Sequence, residues 1–402
     1  MERSSVSAFL LILESGNILV SSRRIALAST TDRVTVAHMP SSPPAGRFVL
    51  IALAGVSLLF GLWAGTVRLG WALPTPSESF IVYHGPLMII GFLGTLIGLE
   101  RAVALDRLWP YGIPVLSAIS ALSVLVGLPG QLSAPPAVAA SLLLTAVFFA
   151  LYRQYPSEHF VIMALSAVAW LVGNIIWFEN FPLFHAVPWW AGFLVLMIAG
   201  ERLELSRLRR PSATIRAIFH VSVAIILMGL VLSMLELHAG VRIAGLGLLA
   251  IALWLLRYDL AWHSAQQAGL PRYMAVCLIA GYVWLAVGGI LWLLFAEFFS
   301  AGSRYDAMLH SIFLGFVFSM IFAHAPIILP TITGMALPFR NSFYLHAGLL
   351  HLSLVLRVAG DLGLVLSLQQ WGGLLNTLTI LIFLINNVRA VKLGATPVAN
   401  TS

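Results

Sequence analysis

Runs of about 20 apolar residues recur from Val49 to the C-terminal region, separated by glycine, proline or clusters of charge. That is the length an α-helix needs to cross the hydrocarbon core of a bilayer, where every backbone N–H and C=O must be paired internally. With 60% hydrophobic and only 9% charged residues, the chain cannot cover a soluble globule with polar surface. The runs resolve into twelve spans centred near residues 57, 94, 120, 143, 169, 195, 225, 248, 285, 317, 351 and 381. The break between the tenth and eleventh spans is placed at His324 to Pro338, the next span starting near Ser342. The expected fold is an all-α polytopic membrane domain over residues 48–392. Residues 1–47, polar and rich in Ser and Thr, read as a disordered cytoplasmic tail, and residues 393–402 as a second cytoplasmic tail. The apolar run FLLILESGNILV in the first tail is too short and interrupted to span. Met39 lies just ahead of the first span, which leaves open that the leader is a start-site artefact.

Basic residues orient the spans, because cytoplasmic loops retain Lys and Arg. With a cytoplasmic N-terminus, eleven arginines between Arg101 and Arg340 fall in inward loops. Only Arg68, Arg242, Arg304 and Arg357 fall on the outer side. Both termini are therefore expected in the cytoplasm, and the lipid bilayer is the principal partner. The net charge of +7 reflects this topology, and no nucleic-acid partner is expected. The single cysteine, Cys277, lies within a span and reads as a buried structural thiol.

Two stretches about a hundred residues apart read alike: HGPLMIIGFLGTLIGLER from His84 to Arg101 and HAVPWWAGFLVLMIAGER from His185 to Arg202. Each runs from a histidine through Gly-Phe-Leu to Glu-Arg. A third, HSIFLGFVFSMIFAHAP from His310 to Pro326, keeps the Gly-Phe and carries His324 where the others carry Glu100 and Glu201. The copies fall on spans two, six and ten, which suggests three groups of four helices. His310 sits two positions later in register than His84 and His185, which turns it to another side of its helix.

A histidine in lipid is costly and usually has a partner. His84, His185 and His310 all begin spans running from outside to inside, and His238 lies at the outer end of span seven, so the four share one depth. Neutral imidazole is a common ligand for iron, copper and zinc. Histidines from separate helices at one depth are what a haem or copper site in a bundle needs. Each also has the plainer reading of a structural histidine.

Toward the inner side, His324, His346 and His351 with Glu100 and Glu201 are candidates for a second metal site or a proton path. The Glu100-Arg101 and Glu201-Arg202 pairs also read as interfacial ion pairs ending spans two and six, the reading favoured here. Arg357 and Asp361, toward the outer end of span eleven, could neutralise haem propionates or a buried carboxylate.

The HGPLMIIGF motif at His84, the HSIFLGF motif at His310 with its downstream His324, and the twelve-span layout resemble the NnrS family of bacterial membrane haem and copper proteins, which is associated with nitric oxide metabolism and nitrosative stress. More distantly, three four-helix groups resemble the catalytic subunit of haem-copper oxidases. The resemblance implies haem b with His84 and His310 as axial-ligand candidates, copper as a further metal, and a respiratory electron donor or oxidase as partner. The Gly-Phe-Arg-Pro segment of the NnrS family is replaced here by AGRFVLIALAG. Span ten has no His-x-His pair and span seven no paired histidines, so no oxidase-type binuclear centre can be assembled. The expected function is diatomic-gas metabolism, stress response or electron transfer, with or without catalysis. A proton-coupled secondary transporter of a small solute and an assembly factor for a respiratory oxidase remain the alternatives.

Overall fold

A computed structural model of the chain describes residues 45–394 apart from Ser77. The expectations for a disordered first tail up to residue 44 and for the end of the second lie outside the described residues, whereas Ala45–Arg47, placed in that tail by the sequence, already open the first helix. Among those residues the chain is helical, with no strand. Twelve helices follow in order: α1 Ala45–Arg68, α2 Phe80–Leu105, α3 Trp109–Leu125, α4 Gly130–Gln154, α5 Glu158–Phe178, α6 Leu183–Arg209, α7 Ala213–Leu232, α8 Leu237–Tyr258, α9 Leu270–Phe298, α10 Ser303–Thr333, α11 Phe343–Gly363 and α12 Leu366–Leu393. Eleven are long and apolar enough to cross a membrane. The exception is α3, which opens on a 3-10 turn at Trp109–Tyr111 and ends after Leu125. The sequence counted it as a full span.

The break after span ten falls later than the sequence placed it. Helix α10 continues through His324 and holds Pro326 and Pro330 inside it, ending only where Gly334 adopts a left-handed conformation. Proline is tolerated in a membrane helix because neighbouring helices can satisfy the carbonyl it frees.

Burial places two of the three repeat-bearing helices at the centre. Helices α6 and α10 are the most enclosed of the spans, and α10 packs against both α2 and α6. Consecutive helices pack tightly, including α4 with α5 and α8 with α9, so the three expected groups of four touch across their boundaries. Polar ties cross the interfaces. Asn174 of α5 donates to the Ala137 carbonyl at 3.0 Å and accepts from Trp190 Nε1 at 3.0 Å, joining α4, α5 and α6. Asn376 of α12 donates to Ser353 of α11 at 2.7 Å. Helices α7 and α8 meet backbone to backbone: a Cβ on Gly229 would lie 2.2 Å from the Ala244 nitrogen, the close approach that small residues permit in membranes. Cys277 is buried and free, as expected.

Two of the central helices are not regular. Helix α2 winds as a π-helix from Leu87 to Gly94, and α10 does so from Ser311 to Phe318. Each π segment closely follows its histidine, His84 or His310. The corresponding part of α6, after His185, is ordinary α-helix. Short π segments inside α-helices frequently occur at functional sites.

Candidate functional site: a histidine pair over a buried ion pair

The two π segments flank a cavity of about 370 Å³ at one end of the bundle. Its walls come from the end of α1, the beginnings of α2, α6 and α10, the end of α11 and the beginning of α12. His84 and His310 face each other across it, ring centroids 6.3 Å apart and planes inclined by 33°. The register count had turned His310 away from His84. That count assumed regular α-helix, and the i→i+5 bonding of the two π segments changes how residues before them are disposed around the axis.

Each imidazole is held through the same ring nitrogen. His84 Nδ1 lies 2.7 Å from the Gly61 carbonyl, and a Cβ on Gly65 would press on the ring, 2.9 Å from Cε1. His310 Nδ1 lies 2.9 Å from the Asp306 carbonyl and 3.2 Å from its carboxylate. A carbonyl can only accept, so Nδ1 carries the proton in both rings and Nε2 is left with its lone pair. An imidazole oriented in this way through Nδ1–H is the usual arrangement of a metal-ligating histidine.

Asp306 is held in turn by Arg357 of α11, whose Nε donates at 2.7 Å and Nη2 at 3.0 Å in a two-pronged pair. Asp361 lies buried beside Asp306 and also lines the cavity. Arg68, at the exposed end of α1, stands at the rim near His84 and Tyr305. The sequence singled out Arg357 and Asp361 but missed Asp306. The available signal was its position four residues before His310, which sets the two side chains on one helix face.

The other candidates lie elsewhere. His185, at the start of α6, packs on Phe184 with ring centroids 4.5 Å apart and does not line the cavity, although Leu183 and Val187 do. His238 is exposed at the start of α8 beside Glu236. His346 is fully buried among aromatic rings. Its ring nitrogens meet Tyr273 Oη at 3.0 Å and Asn386 Nδ2 at 3.1 Å, which is a structural role. His351 Nδ1 accepts from Trp284 Nε1 at 3.1 Å. His324 sits at the opposite end of α10, where it meets Arg202 at 3.2 Å. Glu100, Arg101 and Glu201 gather at that same end, while His346 and His351 are held by the partners just named.

Among the described residues no cluster of three or more His, Cys, Asp or Glu could hold a metal ion. The imidazoles of His84 and His310 face each other in the cavity, whose lining also carries the carboxylates of Asp306 and Asp361. The donor set suits a group bound on two sides by histidine, and the rim arginine suits an acidic substituent. Comparison finds no matching curated protein and no matching solved structure. With a family model matched over residues 47–392, the chain belongs to the family described as a domain of unknown function (DUF8744).

Proposed function

We propose that this chain is a membrane-embedded histidine-pair protein in which His84 and His310 hold a b-type haem, or copper, near one face of the bilayer. The observation that carries this reading is the matched anchoring of the two rings, which leaves both Nε2 atoms as ligands. Held by both histidines, such a group would supply electron transfer, and nitric oxide or another diatomic gas would bind by displacing one of the two imidazoles. The residues around it have separable tasks: Gly61 and Asp306 fix the tautomers, Arg357 holds Asp306 in place, and Arg68 meets an acidic group at the rim. Its role is diatomic-gas metabolism, stress response or electron transfer with a respiratory donor, in a bacterial inner membrane. The arginine asymmetry supports cytoplasmic termini.

The test is an absorption spectrum of the purified protein with iron and copper quantified. A Soret band, or stoichiometric copper, that is lost in His84→Ala and in His310→Ala supports the reading. A colourless, metal-free preparation that takes up neither added haemin nor copper would sink it.

A further inference from the structure

Helix α6 begins in the wall of the histidine cavity and ends in the wall of a second one, of about 630 Å³. That volume is typical of sites for small organic molecules. The walls come from the end of α4, the start of α5, the end of α6 and the start of α7. Three guanidinium groups line the space, those of Arg207, Arg210 and Arg216, against the two carboxylates of Glu158 and Glu204.

Both carboxylates are already engaged. Glu204 accepts from Arg207 at 3.0 Å and lies 2.7 Å from Nδ1 of the buried His159. Glu158 lies 3.2 Å from Arg216 and 3.4 Å from His220. Arg210 is exposed and has no carboxylate within reach among the described residues. Its backbone is left-handed, φ 47°, ahead of Pro211, and this turn keeps it in the same wall as Arg207. The positive end of α5 adds to the charge. The hydroxyl of Ser157, its N-cap residue, meets His159 at 2.7 Å and makes no bond to the first turn of the helix, so the N–H groups that start at the cavity wall carry no side-chain cap. One guanidinium is thus left over beside an uncapped helix end, an arrangement that suits an anion.

The anion's other half is marked by what continues from the cavity. Tyr152 of α4 and Val161 of α5 line it and are also exposed. From them exposed apolar residues run along both helices, Phe149 and Leu142 on α4, Val168 and Ile175 on α5, with steps of seven residues that keep to one face. We infer that the cavity is a binding site for an anionic phospholipid, its phosphate diester held by Arg210 with Arg216 and the start of α5 beside it, its acyl chains along the exposed stripes of α4 and α5. Basic pockets between membrane helices hold such head groups. A zwitterionic head group would bring an ammonium ion for which no free carboxylate remains, so the lipid is of the phosphatidylglycerol or cardiolipin kind. The site lies apart from the histidine pair and is independent of what that pair holds.

The experiment uses the full chain in detergent, with native mass spectrometry counting the lipid retained after addition of dioleoyl-phosphatidylglycerol or dioleoyl-phosphatidylcholine. The wild-type protein should retain phosphatidylglycerol severalfold better. Arg210→Asn, which removes the charge with a residue that tolerates the left-handed conformation, should cut that preference severalfold, and adding Arg216→Gln should abolish it. Arg272→Gln, at the start of α9 and outside the cavity, should leave it unchanged. Equal retention of the two lipids by the wild type would overturn the proposal, as would a full preference in the folded double variant. An equal loss in Arg272→Gln would show that overall charge alone counts, which also overturns it. Inorganic phosphate that displaces phosphatidylglycerol at equal concentration would assign the cavity to a free anion instead of a lipid. If the double variant gives no single gel-filtration peak, Arg210→Asn decides by itself, since it breaks no ion pair.

Discussion

Asp306 touches His310 with both its carbonyl and its carboxylate, and the same carboxylate is gripped by Arg357 from another helix. One side chain thus couples the orientation of a cavity imidazole to a pair joining α10 and α11. On the ligand reading, Asp306 acts through His310 rather than on the bound group. Replacing such a partner typically costs 10–100-fold in metal affinity. Asp306→Asn, which keeps the size but loses the charge, is therefore expected to weaken haemin or copper uptake by roughly that factor. His310→Ala should abolish it. Equilibrium titration of the purified variants checks this, and equal losses in both would show that Asp306 does more than position the ring.

The Asp306–Arg357 pair also bears on stability. Removing one member of an enclosed ion pair leaves the other without compensation and costs about 3–5 kcal/mol. Asp306 is partly exposed, so Arg357→Leu should fall toward the low end, about 3 kcal/mol. The double variant Asp306→Leu with Arg357→Leu should recover much of that loss, since the stranded carboxylate is gone. Melting temperatures in detergent measure both, and a double variant less stable than Arg357→Leu would contradict the account.

At the α7–α8 crossing the constraint is steric. A Cβ on Gly229 would fall 2.2 Å from the Ala244 nitrogen, and one on Gly240 would fall 2.2 Å from the Ser233 nitrogen. Backbone cannot rotate aside as a side chain can. Gly229→Val is expected to destabilise by about 1–3 kcal/mol, the usual cost of overpacking. Gly348→Val on α11, where a Cβ meets nothing within 4 Å, should be near neutral on the same melting assay.

Much of this was legible in the residues. Apolar runs of membrane length fixed the helices, because lipid leaves the backbone no alternative. Only α3 was overcounted, its run being apolar but short. Polar residues of the repeat, His84 and His310 at one end and Arg101, Glu201, Arg202 and His324 at the other, do meet one another across helices. What the sequence hid follows from irregular winding and from contacts between distant segments. The pairing of His84 with His310 was implied by the family resemblance and not by the register count, because it depends on two π segments that regular helical spacing does not anticipate. His185 shares the motif of His84, yet α6 stays regular and its histidine remains outside the cavity. His346 resembles a ligand in the sequence and is instead held by Tyr273 and Asn386, partners far away in the chain.

The cluster at the far end tests whether the repeat is more than a resemblance between segments. Arg101 of the first copy pairs with Glu201 of the second, and Arg202 of the second meets His324 of the third. Each arginine thus reaches the next copy, at the position nine residues after the glycine of the Gly-Phe pair in all three. Residues in one polar network couple by about 0.5–3 kcal/mol in double-mutant cycles. Glu201 is partly exposed, so the Arg101–Glu201 cycle should give a value near the lower end. Arg202 is buried, so its coupling with His324 should be somewhat larger within that range. Arg101 with His324 is expected to show weaker coupling, since each meets a different residue of α6, Arg101 the Glu201 carboxylate and His324 the Arg202 guanidinium. Unfolding cycles with Arg101→Met, Glu201→Gln, Arg202→Met and His324→Leu measure all three. Strong coupling for the last pair alone would mean that the order of contacts from copy to copy does not organise this end of the bundle.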